Sequence, residues 1–118
     1  MSNVYKTIYD TLATLGYPVR EQGAYAPDEI LPETHITYQL VEDADAAHYD
    51  NIPAGKSSRI QLTLYSKDPA VKQSADSTLR SVLVPAGFMR VSGRDLPYEK
   101  ETGHYAYTSD YRYYESEA

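Results

Sequence analysis

An α+β domain, with a mostly antiparallel sheet of four to five strands and two helices packed on one face, is the fold class predicted by this sequence of 118 residues. Three observations lead to it. Along 58–66, Ile60, Leu62 and Leu64 alternate with Arg59, Gln61, Thr63 and Tyr65, the period of a strand with one buried and one wet face. That strand runs at once into Asp68-Pro69, a helix cap followed by a first-turn proline, so a helix is expected to cross back over its apolar face. Two stripes at helical spacing, one before and one after this unit, supply the second layer. The predicted order is helix, strand, strand, strand, helix, strand, strand (αβββαββ) in a single domain over 1–118, because two cores in so short a chain would each be marginal.

Helix one is carried by Val4, Ile8, Leu12 and Leu15, with Ser2 or Asn3 to cap it. Gly16 offers a left-handed stop and Pro18 prevents resumption. Residues 18–20 form a short extended piece, and 21–33, with two prolines, a glycine and several charges, reads as a surface loop. The run 34–41 places Ile36, Tyr38 and Leu40 on one face and His35, Thr37 and Gln39 on the other, a strand expected to pair antiparallel with 58–66. Between them, 42–56 has too little apolar surface around Ala44-Asp45-Ala46-Ala47 to pack by itself and is predicted to be a long functional loop ordered by a partner. Val71, Ala75, Leu79, Val82 and Leu83 give a second helix of about four turns, ending near Pro85-Ala86-Gly87. Residues 88–92 form a short strand and 94–102 a turn. The last strand, 104–114, sets Tyr105, Tyr107, Tyr111 and Tyr113 on one face, and 115–118 is expected to fray.

Composition excludes several classes of function. The chain has no cysteine, which removes disulfides, thiolate chemistry and cysteine-type zinc sites. No apolar run approaches the roughly 20 residues of a membrane span, and the start lacks the pattern of a secretory signal, so a cytoplasmic origin is expected. A net charge of −6 is the wrong sign for gripping phosphates, although an acidic wall lets a nucleic acid pass without adhering. Thirteen tyrosines stand against one Phe and no Trp, and such rings suit protein interfaces as well as the margins of a small core.

Reactive constellations are missing. His35, His48 and His104 occur singly, without metal-ligand spacing, and neither Glu42-Asp43 nor Glu99-Lys100-Glu101 belongs to an acid/base signature. No serine has a nucleophile-elbow setting, and the glycines do not form a phosphate loop. The expectation is a protein without catalytic residues, metal or cofactor. The competing expectation is a small intracellular enzyme or ligand-binding domain that uses His35, His104 and nearby carboxylates in a cleft. An acidic mimic of DNA is disfavoured, because the acids cluster in loops instead of lining one face.

Leu15-Gly16-Tyr17-Pro18-Val19 closing helix one, Thr37-Tyr38-Gln39-Leu40, the run from Arg59-Ile60-Gln61-Leu62 through Lys67-Asp68, Gly87-Phe88 and the closing tyrosine strand together resemble the tail completion or tail terminator proteins of long-tailed bacteriophages and prophages. The resemblance spans nearly the whole chain. It implies a virion structural protein of the tail and neck, assembled in the host cytoplasm. Such proteins form a ring, typically hexameric, that caps the tail tube, ends its polymerisation and joins the head connector. DNA passes through without specific binding, and no membrane is involved. Under this reading Glu42, Asp43, Asp45 and Asp50 face the channel or the axial partner, and Tyr107, Tyr111 and Tyr113 contribute to lateral contacts between copies.

Overall fold

The strand around Ile60, Leu62 and Leu64 builds the middle of the sheet, and it is longer than its alternation alone suggests. The computed structural model describes residues 3–49 and 52–116, and side chains for 3–45 and 55–115 within them. The elements are α1 (Val4–Ala13), β1 (Val19–Glu21), β2 (Thr34–Tyr49), β3 (Ile52–Ser66), α2 (Pro69–Gln73), α3 (Ala75–Leu83), β4 (Met89–Glu99) and β5 (His104–Ser116). The strands form one sheet in the order β1-β2-β3-β5-β4, antiparallel throughout except for the parallel β1–β2 pair. This is the predicted α+β class with five strands.

Local chemistry sets the boundaries. Asn3 Oδ1 accepts from the Tyr5 amide at 2.9 Å and starts α1, and Gly16, at φ 86°, turns the chain after it. Asp68 Oδ1 accepts from the Ala70 amide at 2.9 Å with Pro69 in the first turn, as the sequence suggests. The single second helix is corrected to two. Ser74, at φ −91° and ψ 1°, leaves helical geometry and separates α2 from α3, so α3 can turn Ala75, Leu79 and Leu83 fully inward.

The core lies on one face only. Val4, Ile8 and Leu12 of α1 and Ala75, Leu79 and Leu83 of α3 pack on Ile36, Ile60, Leu62, Leu64 and Tyr111, with Phe88 stacked on Tyr113 at 4.4 Å. Register explains the selection, because Ile36 faces Leu64 and Leu64 faces Tyr107, while Leu40 faces Ile60 and Ile60 faces Tyr111. A small polar hub ties the layers together. Asp76 of α3 accepts from Arg80 at 2.9 Å, from Arg90 of β4 at 2.8 Å and from the Tyr107 hydroxyl at 3.2 Å. Partial burial pushes its carboxyl up, but these three donors outweigh that and hold it below the usual range.

Two expected loops are strands. The segment 42–56 is corrected to the distal half of the β2–β3 hairpin, paired from Glu42↔Arg59 to Tyr49↔Ile52 and joined along one side by β5 as far as Gly55↔Ser116. Its composition hides this, since alanines and acids replace the branched residues of ordinary strands. Pairing continues because two flanking strands already carry the register. Pro53 lies beyond Gly55↔Ser116, the last β3–β5 pair among the described residues. Similarly, the predicted turn 94–102 is mostly β4, an edge strand that can accept Pro97. Two strand glycines have tyrosines laid over them. The ring of Tyr107 fills the space a Cβ at Gly93 would need, and that of Tyr114 does the same at Gly55.

Candidate functional site

Beyond Leu40 and Ile60 the hairpin contributes no residue to the core cluster, although Ser58 is still fully buried, and it continues as an arm. A bulge between Leu40 and Glu42 makes Val41 an extra residue and turns the faces over, so Glu42 lies opposite Arg59 on the helix-free side. Asp43 forms an ion pair with Lys56 at 2.9 Å, and Glu42 a longer one with Arg112 at 3.4 Å. Residues 41–45 are all exposed. Glu42, Asp43 and Asp45 therefore share the arm, on a paired strand in place of a loop, and Asp50 lies outside the described residues.

The predicted lateral tyrosines separate. All three lie on the helix-covered face, and Tyr111 is fully buried at 0% exposure. That corrects its assignment to an intersubunit surface, because it has no area to offer a neighbour. Its hydroxyl is pushed up to about 12 by burial first and by the nearby Asp76 next. Tyr107 is half-buried in the Asp76 hub, and Tyr113 is half-buried against Phe88.

On the helix-free face, polar side chains bond to one another across the strands. Gln39 donates to Gln61 at 2.7 Å, Gln61 and Arg59 donate to Asp110 at 3.3 and 2.9 Å, and Thr63 donates to Thr108 at 3.1 Å. Toward the end opposite the arm, the 22–33 loop folds over this face. It creates a cleft of about 540 Å³ lined in part by Tyr25, Leu31, Tyr65, Leu96, Pro97 and Tyr98.

Two histidines that are distant in sequence meet in that cleft. His35 of β2 stacks on Tyr65 at 4.8 Å, and His104 of β5 sets its edge against His35 at 5.1 Å. The Pro32 carbonyl lies 3.1 Å from His35 Nδ1 and 2.9 Å from His104 Nε2. A carbonyl can only accept, so both nitrogens carry protons and the rings are clamped in opposite tautomers. Burial pushes the His35 pKa down, outweighing the Pro32 bond, and His104 pushes it further down. No hydroxyl is hydrogen-bonded to either ring among the described residues, and no group of three or more His, Asp or Glu there could hold a metal.

Spacing along the chain makes these histidines look isolated. Their meeting depends on Tyr65 standing between them in register, His35↔Tyr65 and Tyr65↔Ala106, and the only local sign is that His35 occupies the wet phase of its strand. No protein-family model matches the chain, and no curated protein matches it significantly in sequence.

Proposed function

We propose that the protein is a non-enzymatic virion component that completes the tail of a long-tailed bacteriophage or prophage. It forms a ring on the tail tube, ends tube growth and contributes to the joint with the head connector, while DNA passes without specific binding. The observation that carries this reading is the arm. Strands β2 and β3 continue past the core cluster as a paired, charged extension whose residues 41–45 are exposed, in a molecule 53 Å long and only 28 × 24 Å across. A projecting ladder of this kind is costly to leave without a partner, and an assembly subunit supplies one. The net charge of −6 fits a wall that a nucleic acid slides past.

The test uses the arm acids in a phage that carries this gene. Asp43→Asn, Asp45→Lys and Asp50→Asn together are expected to give tails of irregular length or tails without heads in electron micrographs. Normal tails with normal head joining would remove these residues from the channel or axial contact.

A second reading is favoured by the convergence of His35 and His104 on one cleft, which suits a binding site for a small apolar or aromatic molecule. It ranks lower because each ring already commits one nitrogen to Pro32 and no nucleophile or carboxylate is hydrogen-bonded to either.

A further inference from the structure

We propose that copies of this chain join edge to edge, the outer edge of β4 in one copy pairing with the free distal edge of β2 in the next, with Glu42 opposite Arg94. The inference rests on the ring reading above and names the surface that would build it. Among the described residues both edges are open. β1 covers β2 only from Ile36 to Tyr38, where the last bond outward is from the Gln22 amide to the Tyr38 carbonyl at 2.8 Å. At the other border of the sheet, β4 pairs only with β5. The two edges carry exposed apolar side chains, Val41 at 51%, Val91 at 40% and Met89 at 64%. Neither is blunted in the usual way by brevity or by a cover.

Direction permits the join. β2, β3, β5 and β4 alternate in sense, so β2 and β4 run opposite ways and a second copy in the same orientation extends the sheet antiparallel. Facing restricts the register. Glu42 and Ala44 lie on the helix-free side, opposite Arg59 and Ser57, and so do Ser92 and Arg94, opposite Asp110 and Thr108. Placing Glu42 opposite Arg94 sets Ala44 against Ser92 and Asp43 against Gly93, and brings Asp45 to the bulge beside Arg90. Sliding by two residues instead sets Glu42 against Leu96 and Asp43 against Asp95, which places like charges together. Arg94 makes no ion pair among the described residues, and its guanidinium is the complement the acidic edge needs.

Charge also selects the kind of contact. Two β2 edges would bring Glu42, Asp43 and Asp45 against their own copies, and two β4 edges would bring arginines together, so the unlike pairing is favoured. A repeated unlike contact is the type that closes into rings. The geometry is compatible with closure. Glu42 stands level with Arg112 through Arg59, and Arg94 stands level with Thr108, so successive copies step four residues along the strands. Four strands span about 19 Å and four residues about 13 Å, a tilt of about 35° and at the edge of the range seen in closed sheets.

The chain lacks cysteine, so introduced pairs report cleanly. Within one molecule, positions 44 and 92 are three strand spacings apart and offset by four residues along the strands, about 19 Å, too far for a disulfide. The variant Ala44→Cys with Ser92→Cys, oxidised as purified full chain or on the tail tube, is expected to give a ladder beyond dimers, and a mixture of the two single variants is expected to give heterodimers. In sedimentation, Glu42→Arg or Arg94→Glu alone should weaken self-association by about tenfold, and the two together should restore it to within about threefold. A monomeric double-cysteine protein, or single charge reversals without effect, overturns edge pairing. Rings that form without the 44–92 cross-link overturn this contact and leave the tail reading standing. Cross-linked ladders from a protein whose loss does not affect phage tails overturn the tail reading and leave the contact.

Discussion

Tyr111 and His35 show how much a single side chain's environment decides. Tyr111 lies in an alternating tyrosine strand, and its complete burial makes its ring a core component whose hydroxyl has no hydrogen-bond partner among the described residues. Tyr111→Phe is therefore expected to change unfolding free energy by less than about 1 kcal/mol, while Tyr111→Ala loses about 3–5 kcal/mol in urea titrations. A large loss with Phe would mean that the hydroxyl does bond in the core. For His35, the lowered pKa means that the unfolded chain takes up its proton first as pH falls. The contribution of the neutral ring is complete above its unfolded value near 6.5 and is lost as pH drops through the lower folded value. The fall in Tm between about pH 7.5 and pH 5 should accordingly be smaller in His35→Asn than in the unmodified chain. Asp76, also lowered, acts in a separate window below about pH 4, since its paired carboxylate stabilises the fold until it is protonated.

The elements are held by where strands bulge and where their glycines are covered. β4 is kept on the sheet by Tyr107, whose ring lies over Gly93 while its hydroxyl bonds Asp76 and receives a bond from Arg90 at 3.0 Å. Gly93→Ala would push that ring aside and loosen the hub, and it is expected to cost about 1–2 kcal/mol by equilibrium unfolding. Unchanged stability would show that the ring swings away freely. The bulge at Leu40 and Glu42 has a different consequence. By turning the faces over, it takes Glu42 off the core's phase and puts Asp43 and Asp45 on it, where they stay exposed and Asp43 pairs with Lys56.

At the scale of the molecule, a one-sided core and a projecting ladder make separable parts. Replacing residues 45–56 by an Asn-Gly turn between Ala44 and Ser57, which face each other, removes no side chain of the core cluster. The shortened protein is expected to keep its circular dichroism spectrum and a Tm within about 5 °C of the full chain. It should keep the edge at 42–44 but lose tail completion. A shortened protein that still completes tails would dissociate the arm from the proposed function.

Alternation and capping are legible in the order of residues along the chain. Ile60, Leu62 and Leu64 mark the central strand, Val4, Ile8 and Leu12 the first helix, and Asp68-Pro69 the start of the second, because each pattern depends on neighbours within a few residues. The arm is not legible in this way, since Ala44 to Lys56 carries no strand preference and becomes a ladder only through registers set at Ile60 and Tyr111. The histidine pair is hidden for the same reason, its members being 69 positions apart in the chain and joined by Pro32 from a loop with no pattern. Sequence alone determined which residues face inward on α1, on α3 and on the core halves of β2 and β3. Tertiary structure decided which strands continue beyond the core and which distant side chains meet, because both depend on contacts made across strands and not along them.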